Sequence, residues 1–287
     1  MILTTATTPS PIVIAHRGNS GNPLNSINIE DTKESIKSAW TVGADAVELD
    51  VHLTKDGVLV VHHDDNLGRV FIIPGDDCER LISDYTWAEL QRAEVNRLKL
   101  EKQISRPISD SQIKIPRLED LLPIPDGKKL FIELKFPDNK MPSDTRYLKK
   151  LIRKVVAFIN ENKLLDKVIV ISFVGESLDK VKNLNPKIVT GLDTSWGESK
   201  SESKIRRLKE AYGFNCLLPK ASQTKEYTVT FCRGLGLDIY PWISRENPFQ
   251  ELRKLTRLIE SEREVNGVIT NQPGMFKRIL DEHFQGA

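Results

Sequence analysis

Two short apolar segments carry acidic residues whose spacing suits a metal site. Glu48 and Asp50 lie two positions apart in one segment, and Glu133 lies in another. Because residues two apart on a β-strand point to the same face, Glu48 and Asp50 can be presented together to one point. Carboxylate oxygens without a nearby cysteine suit Mg²⁺ or Ca²⁺ better than a metal that prefers thiolate ligands. Glu48, Asp50 and Glu133 are therefore candidate ligands of one divalent cation.

Histidines and cations follow the same kind of segment. His16 and Arg17 end the first apolar segment, His63 follows a hairpin segment, and Lys135 lies two positions after Glu133. Histidine exchanges a proton readily near neutral pH, and the Arg and Lys cations favour an anionic substrate. A metal, two cations and two histidines are together typical of phosphoester chemistry, in which they stabilise the negative charge that develops on phosphoryl oxygens.

The same residues also permit a purely structural interpretation. Glu48 and Asp50 could form salt bridges with Arg17 and Lys135 and stabilise the fold without a metal. A lone histidine at the end of a strand is more often structural than catalytic, but two histidines beside three carboxylates and two cations favour catalysis. His52 shares a strand face with Glu48 and Asp50, yet nothing else marks it, and it is predicted to be structural.

Short apolar segments alternate with longer amphipathic ones along most of the chain, which is typical of parallel βα units. Eight such units predict a (β/α)₈ TIM barrel, in which the active site lies at the carboxyl ends of the strands. An open, doubly wound sheet is the alternative. The chain shows no internal repeat and no linker, so a single domain over residues 1–287 is predicted. The predicted strands are 12–15, 45–51, 130–134, 168–172, 187–191, 215–218, 237–242 and 267–269, and the predicted helices are 30–42, 144–162, 175–183, 203–212, 224–235, 248–260 and 273–282.

Residues 65–114 interrupt this alternation. The segment is polar and irregular, contains the loop-forming sequence Pro74-Gly75-Asp76-Asp77, and shows no strong strand signal. One helix is predicted over residues 86–97, with Thr86 as its N-cap and Glu89 completing a capping box. Because the segment begins directly after His63 and Asp64, we expect it to be an insertion that covers the catalytic face.

The overall composition excludes several classes of protein. The 42 Lys and Arg residues nearly balance the 40 Asp and Glu residues, so the net charge of +2 gives no reason to expect a nucleic-acid partner. The 3 cysteines are widely spaced and indicate free thiols in a reducing compartment. No apolar run is long enough for a transmembrane helix, and the first residues lack the pattern of a secretory signal. A cytoplasmic protein without stable membrane insertion is expected, and its oligomeric state is left open.

Ordered motifs run through nearly the whole chain. They are Ile14-Ala15-His16-Arg17-Gly18, Glu48-Leu49-Asp50-Val51, Thr54-Lys55-Asp56-Gly57, Val60-Val61 with His63-Asp64, Ile115-Pro116-Arg117-Leu118-Glu119, Ile132-Glu133-Leu134-Lys135, Ile171-Ser172-Phe173 and Gly267-Val268-Ile269-Thr270-Asn271. In this order and spacing the motifs resemble those of the glycerophosphodiester phosphodiesterases. The first four are the most specific, and their spacing places His63, rather than His62, at the catalytic position of that family.

The chain departs from this family pattern in the loops. Where the family has Pro-Glu-Asn-Thr at a helix start, this chain has Ile29-Glu30-Asp31-Thr32. Val70-Phe71 replaces a usual Thr-Thr pair, and Pro241-Trp242-Ile243-Ser244 stands where Trp-Thr-Val-Asn is commoner. All of the expected metal and acid–base positions are kept, so the departures bear on substrate preference.

The resemblance implies hydrolysis of a small-molecule glycerophosphodiester to glycerol 3-phosphate and an alcohol. It implies a catalytic pair, His16 and His63, and one divalent cation, Mg²⁺ or Ca²⁺, on Glu48, Asp50 and Glu133. A substrate hydroxyl would attack the phosphorus, one histidine would take its proton and the other would protonate the leaving alkoxide. Which histidine does which is left open.

The resemblance also suggests residues that contact the substrate. Arg17 and Lys135 would hold phosphoryl oxygens, with Arg17 able to bind two of them at once. Glu30 is expected to orient its neighbours rather than to bind the metal. Trp242 would either form a wall of the glycerol pocket or belong to the core.

Two alternatives are kept. A phospholipase D-like enzyme could act on lysophospholipid or sphingolipid headgroups with the same histidines and carboxylates, but it would need an apolar channel or an interfacial loop. The only short apolar patch that could serve is Val70-Phe71-Ile72-Ile73. A non-catalytic binding module on the same barrel is the second alternative, and it predicts an eroded site, which the sequence does not show.

Overall fold

Eight parallel strands form a nearly closed barrel, which an antiparallel hairpin strand and a small two-stranded sheet accompany. In this computed structural model the described residues are 10–21, 28–100, 113–136, 145–194, 201–243, 253, 256 and 265–285. The strands are β1 (Ile12–His16), β2 (Ala46–Leu53), β3 (Leu59–Val61), β4 (Phe71–Ile72), β5 (Glu94–Val95), β6 (Lys129–Leu134), β7 (Val168–Ser172), β8 (Val189–Thr194), β9 (Cys216–Pro219), β10 (Asp238–Ile239) and β11 (Gly267–Thr270).

The barrel strands are hydrogen-bonded in the order β10-β9-β8-β7-β6-β2-β1-β11, and β3 pairs antiparallel with β2. The remaining seam closes just beyond β10, where Trp242 forms a parallel bridge with Ile269. The Ile269 N–H donates to the Pro241 carbonyl over 2.9 Å, and the Ile243 N–H donates to the Ile269 carbonyl over 2.9 Å. Because the two ends of the sheet meet, the predicted (β/α)₈ barrel is confirmed and the open doubly wound sheet is wrong.

Helices follow most of the barrel strands and pack on the outside of the barrel. The helix predicted from Glu30 begins three residues later, because Thr32 is its N-cap: the Thr32 hydroxyl accepts from the Ser35 N–H, and the Ser35 hydroxyl accepts from the Thr32 N–H. The predicted helix 248–260 lies almost entirely outside the described residues. The helices are α1 (Lys33–Thr41), α2 (Trp87–Leu90), α3 (Arg97–Leu100), α4 (Thr145–Glu161), α5 (Gly175–Leu184), α6 (Glu202–Tyr212), α7 (Glu226–Gly234) and α8 (Pro273–Gln285).

Side chains on the barrel strands alternate between the barrel interior and the surrounding helices. The interior is filled by apolar residues, among them Ile14, Ala46, Phe131, Ile171, Tyr240 and Ile269. The residues two positions further along the same strands belong to the same face and lie nearer the carboxyl ends. They are, in the same order, His16, Glu48, Glu133, Phe173, Trp242 and Asn271. An apolar plug therefore underlies a set of polar and aromatic side chains at one end of the barrel.

The insertion differs from the prediction in its secondary structure. The Thr86–Glu89 capping box forms as predicted, but the helix it starts is only Trp87–Leu90 long, so the predicted helix over residues 86–97 is wrong. Residues further along pair instead with β4 as strand β5, and the Asn96 N–H donates to the Val70 carbonyl over 2.8 Å. Tertiary strand pairing here outweighs the local helical preference.

The apolar side chains of the insertion form a hydrophobic cluster separate from the barrel interior, and Val60 of β3 also belongs to this cluster. Tyr85 is fully buried in this cluster, its hydroxyl donates to Asp76 Oδ1 over 2.9 Å, and its carbonyl accepts from the Lys55 N–H over 2.9 Å. Val70, Phe71 and Ile73 are buried in the same cluster. The short apolar patch singled out in the sequence therefore packs inside the insertion.

Cys78, Cys216 and Cys232 are buried free thiols. A search of the described residues finds no helix with both the length and the apolar character needed to cross a membrane.

The turn after β1 depends on a glycine, and we predict that it is intolerant of a side chain. Gly18 has a φ of +79°, and a Cβ there would lie 2.5 Å from Ser35 Oγ and 2.7 Å from the Ser35 carbonyl carbon. Gly18→Ala should lower the free energy of unfolding by about 3 kcal/mol, since it adds a steric clash to an unfavourable backbone conformation. Urea unfolding measures this change.

Gly127→Ala is the matched control for backbone conformation alone. Gly127 has a φ of +72°, and a Cβ there would have no atom within 4 Å. It should cost about 1 kcal/mol. Equal losses from the two variants would show that the space around Gly18 is not limiting.

Candidate active site

The three predicted metal ligands meet at the carboxyl end of the barrel. Glu48 and Asp50 come from β2 and Glu133 from the neighbouring β6, where Asp50 pairs with Glu133 in the strand register. One carboxylate oxygen from each lies within 4.8 Å of the other two, and all three residues are buried. Both oxygens of Asp50 are buried without a hydrogen-bond partner. Three buried carboxylates that converge in this way offer the hard oxygen ligands that a divalent cation prefers.

Two buried cations partly balance these carboxylates. Arg17 Nε lies 3.2 Å from Asp50 Oδ2, and Lys135 Nζ lies 3.4 Å from Asp50 Oδ1 and 3.1 Å from Glu133 Oε1. Burial disfavours an ionised Asp50, but Lys135, His63 and Arg17 outweigh that effect and hold the pKa of Asp50 well below its usual range. At Glu48 burial and the charge of Asp50 raise the pKa of the carboxyl.

The β1 turn places Arg17 by its backbone. Arg17 has a φ of +54°, and its N–H donates to the Glu48 carbonyl over 2.9 Å and to Glu48 Oε2 over 3.1 Å. Ser35, in the first turn of α1, donates its hydroxyl to the Arg17 carbonyl over 3.2 Å. The turn is thereby fixed on both sides, and the Arg17 side chain is directed toward the carboxylates.

His16 is held by the last barrel strand. Its Nδ1 lies 2.9 Å from Oδ1 of Asn271, which follows β11, and its Nε2 lies 3.8 Å from Glu48 Oε2. An amide oxygen at Nδ1 favours the tautomer that carries its proton there. Nε2 is then the ring nitrogen directed at the carboxylates.

His63 is held by its own neighbour. Its Nδ1 lies 2.7 Å from Asp64 Oδ1, and Arg69 donates from Nε to Asp64 Oδ2 over 2.6 Å and from Nη2 to Oδ1 over 2.9 Å. Burial disfavours an ionised Asp64, but His63 and Arg69 outweigh it and lower the pKa of Asp64 far below its usual range. An ionised Asp64 accepts a hydrogen bond from His63 Nδ1 when that nitrogen carries the proton, and Nε2 of His63 is then the nitrogen left for proton exchange.

Glu30 connects Arg17, which faces the carboxylates, with Arg69, which holds Asp64 beside His63. Glu30 Oε1 accepts from Arg17 Nη1 over 2.9 Å and from Arg69 Nη2 over 2.6 Å. It is not a member of the carboxylate group that could hold a metal. This geometry agrees with a role in orienting its neighbours.

A cavity of about 140 Å³ opens between the histidines and the carboxylates. Trp242 lines the cavity and also packs against the apolar interior of the barrel. The lining residues are His16, Arg17, Glu48, His63, Glu133, Lys135, Phe173, Asp193, Trp242 and Ile269. The cavity thus brings together every predicted site residue except the buried Asp50, which lies behind it, and Glu30.

The two other histidines near the site do not line the cavity. His62 is buried under the insertion, with Nε2 3.2 Å from the Asn66 carbonyl oxygen and its ring edge-on to Phe71. His52 is buried and its Nε2 has no hydrogen-bond partner. The side chain of His63, and not that of His62, reaches the cavity, as the motif spacing predicts.

Sequence reasoning missed four residues of the site. Asp64 and Asn271 lie within the quoted motifs but had no assigned partner, and their contacts to the histidines appear only in three dimensions. Phe173 ends a quoted motif but was given no role, and Asp193 lies in no motif. Asp193 could have been found from the alternation of β8, because it lies near the carboxyl end of that strand on the interior face.

Comparison with known proteins now decides the family. The model of the glycerophosphoryl diester phosphodiesterase family matches residues 16–275. The chain belongs to this family. A glycerophosphodiester phosphodiesterase from Caldanaerobacter subterraneus subsp. tengcongensis is 28% identical over 263 residues, which cover 91% of this chain and 94% of the relative. As a member of this family of hydrolases, the chain is a phosphoric diester hydrolase.

Solved structures show the same fold. A putative glycerophosphoryl diester phosphodiesterase from Silicibacter pomeroyi superposes with a TM-score of 0.79 at 22% identity, over 96% of this chain and 95% of that one. A phosphodiesterase from Oleispira antarctica, solved in complex with the product sn-glycerol-3-phosphate, superposes with a TM-score of 0.72 at 24% identity, over 95% and 97%.

The buried His52 should make stability depend on pH. Burial, with the nearby His62, lowers the pKa of His52 to about 3, whereas an unfolded histidine has a pKa of about 6.5. Between these values only the unfolded chain takes up the proton, so the free energy of unfolding falls as the pH falls. His52→Gln should reduce the loss between pH 7 and pH 4.5 by about 2 kcal/mol in urea unfolding. The same pH dependence in wild type and variant would contradict this prediction.

His63 and His62 should differ sharply in their effect on diester hydrolysis. His63→Ala should lower kcat by about 10²–10⁴-fold, as expected for a general acid or base. His62→Ala should change kcat far less, because its ring faces the insertion. Steady-state kinetics at fixed metal concentration measure both, with circular dichroism as the folding control. A larger loss at His62 would mean that the wrong histidine has been assigned to the cavity.

Proposed function

We propose that this chain hydrolyses glycerophosphodiesters to sn-glycerol 3-phosphate and an alcohol, with one divalent cation, Mg²⁺ or Ca²⁺, on Glu48, Asp50 and Glu133. The observation that carries the proposal is the convergence of three buried carboxylates, two buried cations and two histidines on one cavity. When bound, the cation would neutralise charge on the phosphoryl oxygens and on the attacking group. The small cavity, lined by both charged and apolar side chains, fits a small-molecule substrate.

Arg17 and Lys135 are placed to hold the phosphoryl group. Both line the cavity beside the carboxylates; Lys135 is buried, and the Arg17 side chain is 14% exposed. At Lys135 burial opposes the charge, but Glu133 and Asp50 outweigh it and raise the pKa of the ammonium group. Lys135 therefore stays charged at neutral pH and can stabilise the negative phosphoryl oxygens as they gain charge in the transition state.

His16 and His63 are placed to move the protons. One histidine accepts the proton of the attacking substrate hydroxyl as its oxygen bonds to phosphorus, and the other donates a proton to the leaving alkoxide oxygen. The resulting cyclic phosphate is opened by water, which gives its proton to one histidine while the ring oxygen takes a proton from the other. Both histidines end the cycle in their starting states, so either assignment of acid and base is balanced.

Neighbouring residues hold these proton carriers in place. Asn271 fixes the ring of His16, and Asp64, itself held by Arg69, fixes the ring of His63. Glu30 contacts Arg17 and Arg69 at once, so it positions the phosphoryl-binding cation and the support of His63 together.

The geometry favours neither of the two alternatives. A phospholipase D-like enzyme on lipid headgroups would need an apolar surface at the mouth, but Val70, Phe71 and Ile73 are buried within the insertion. A non-catalytic binding module predicts an eroded site, whereas the carboxylates, cations and histidines are all in place.

The metal proposal is tested by Glu133→Gln. Loss of one hard anionic ligand should weaken Mg²⁺ and Ca²⁺ binding by at least about tenfold in titration calorimetry, while the near-identical shape keeps the fold. Release of glycerol 3-phosphate from glycerophosphocholine should fall with it, and a chelator should abolish wild-type turnover.

Glu161→Gln, at the exposed end of α4, is the matched control and should leave metal binding and turnover unchanged. Hydrolysis that persists after exhaustive chelation would contradict the metal assignment.

A further inference from the structure

One acidic residue of the cavity has no part in the mechanism above. Asp193 lies on β8, across the barrel from β1, with a side chain that is about 6% exposed. It lines the cavity but does not belong to the carboxylate group that could hold a metal. Its Oδ1 is buried without a hydrogen-bond partner. A buried carboxylate oxygen left unpaired is costly, so its position calls for a ligand.

Trp242 offers a second unsatisfied atom beside it. The indole N–H is close enough to the Asp193 carboxylate to lower its pKa, although burial and Glu133 raise that pKa more strongly. Nevertheless the indole Nε1 is buried and completes no hydrogen bond. The Asp193 carboxylate and the indole N–H therefore lie close together, but neither Asp193 Oδ1 nor Trp242 Nε1 completes a hydrogen bond.

The rest of this half of the cavity is apolar. Phe173 and Ile269 form its walls, whereas the opposite half carries the histidines, the cations and the carboxylates that face the phosphoryl group. A diester bound by its phosphoryl group at the charged half must place one of its alcohol portions against Phe173, Ile269, Asp193 and Trp242.

We propose that Asp193 and Trp242 form a hydroxyl-binding subsite that selects the polyol portion of the substrate. A hydroxyl satisfies both atoms at once, because it donates to the Asp193 oxygen and accepts from the indole N–H. If Asp193 is protonated, a hydroxyl can still pair with it, as acceptor. An ammonium headgroup would satisfy Asp193 but would leave the indole donor unpaired. The chemistry therefore favours a hydroxyl. The proposal rests on the proposed function only in assuming that the phosphoryl group of the substrate binds at the charged half of the cavity.

Product binding tests this subsite without turnover. In excess Mg²⁺, titration calorimetry compares sn-glycerol 3-phosphate with propyl phosphate, which has the same three-carbon chain but no hydroxyl. Wild type should bind glycerol 3-phosphate at least about tenfold more tightly. Asp193→Ala should reduce this ratio by about tenfold or more, and Trp242→Phe, which keeps an aromatic ring without the N–H, should reduce it several-fold.

Thr190→Val is the matched control. Thr190 is fully buried on the same strand and its hydroxyl also lacks a partner, but it does not line the cavity. Its substitution should leave the ratio unchanged. If Asp193→Ala fails to fold by circular dichroism, Trp242→Phe decides the question, because it removes the indole N–H and keeps an aromatic ring at the cavity wall.

Three results would overturn the subsite. The first is equal binding of the two ligands by wild type, and the second is an unchanged ratio in the Asp193 and Trp242 variants. The third is found with phosphocholine titrated as a further ligand: if the variants bind only phosphocholine more weakly, the site binds an ammonium group instead. The proposed function fails separately. Selective binding of glycerol 3-phosphate without any hydrolysis of glycerophosphocholine contradicts the activity alone, whereas hydrolysis with no effect of Asp193 contradicts the subsite alone.

Discussion

Asp50 is completely buried at the centre of the site, and its charge has to be balanced inside the barrel. Arg17 lies beside its Oδ2 and Lys135 beside its Oδ1. Removing one partner of a buried ion pair typically costs about 3–5 kcal/mol, because it leaves an uncompensated charge in a poorly solvated place. The strands β1, β2 and β6 that carry these groups are consequently bound to one another by charge as well as by backbone hydrogen bonds. Because Arg17 and Lys135 balance the charge of Asp50, the carboxylates of Glu48 and Glu133 can lie close to it at the candidate metal site.

The insertion is part of this charge network rather than a separate cover. Arg69, from the insertion, contacts Asp64 and Glu30, and Glu30 in turn contacts Arg17. A continuous series of charged hydrogen bonds therefore runs from His63 to Arg17 through a residue that no barrel strand supplies. The docking of the insertion and the orientation of His63 are coupled by this series.

The barrel and most of the site follow from local patterns. Alternating apolar segments were enough to place eight strands, and a period of two along β2 and β6 was enough to bring Glu48, Asp50 and Glu133 to one face. The insertion was harder, because the helix begun at Thr86 ends at Leu90 and is followed by β5, which pairs with β4 more than twenty residues before it. Asp193 carried no motif, and the partners of the histidines depend on closure of the barrel.

That closure has a consequence for the order of assembly. His16 is the last residue of the first strand, but the amide that orients it belongs to Asn271, 255 residues later. β1 has β11 as one of its two neighbours, so one side of the first strand stays without a partner until the last barrel strand is in place. Contacts of such large sequence separation form slowly, since a long loop must be closed before they contribute any stability. A chain growing on a ribosome therefore carries its first histidine without this amide until Asn271 has been synthesised, and until then it has no complete site with which to act on diesters.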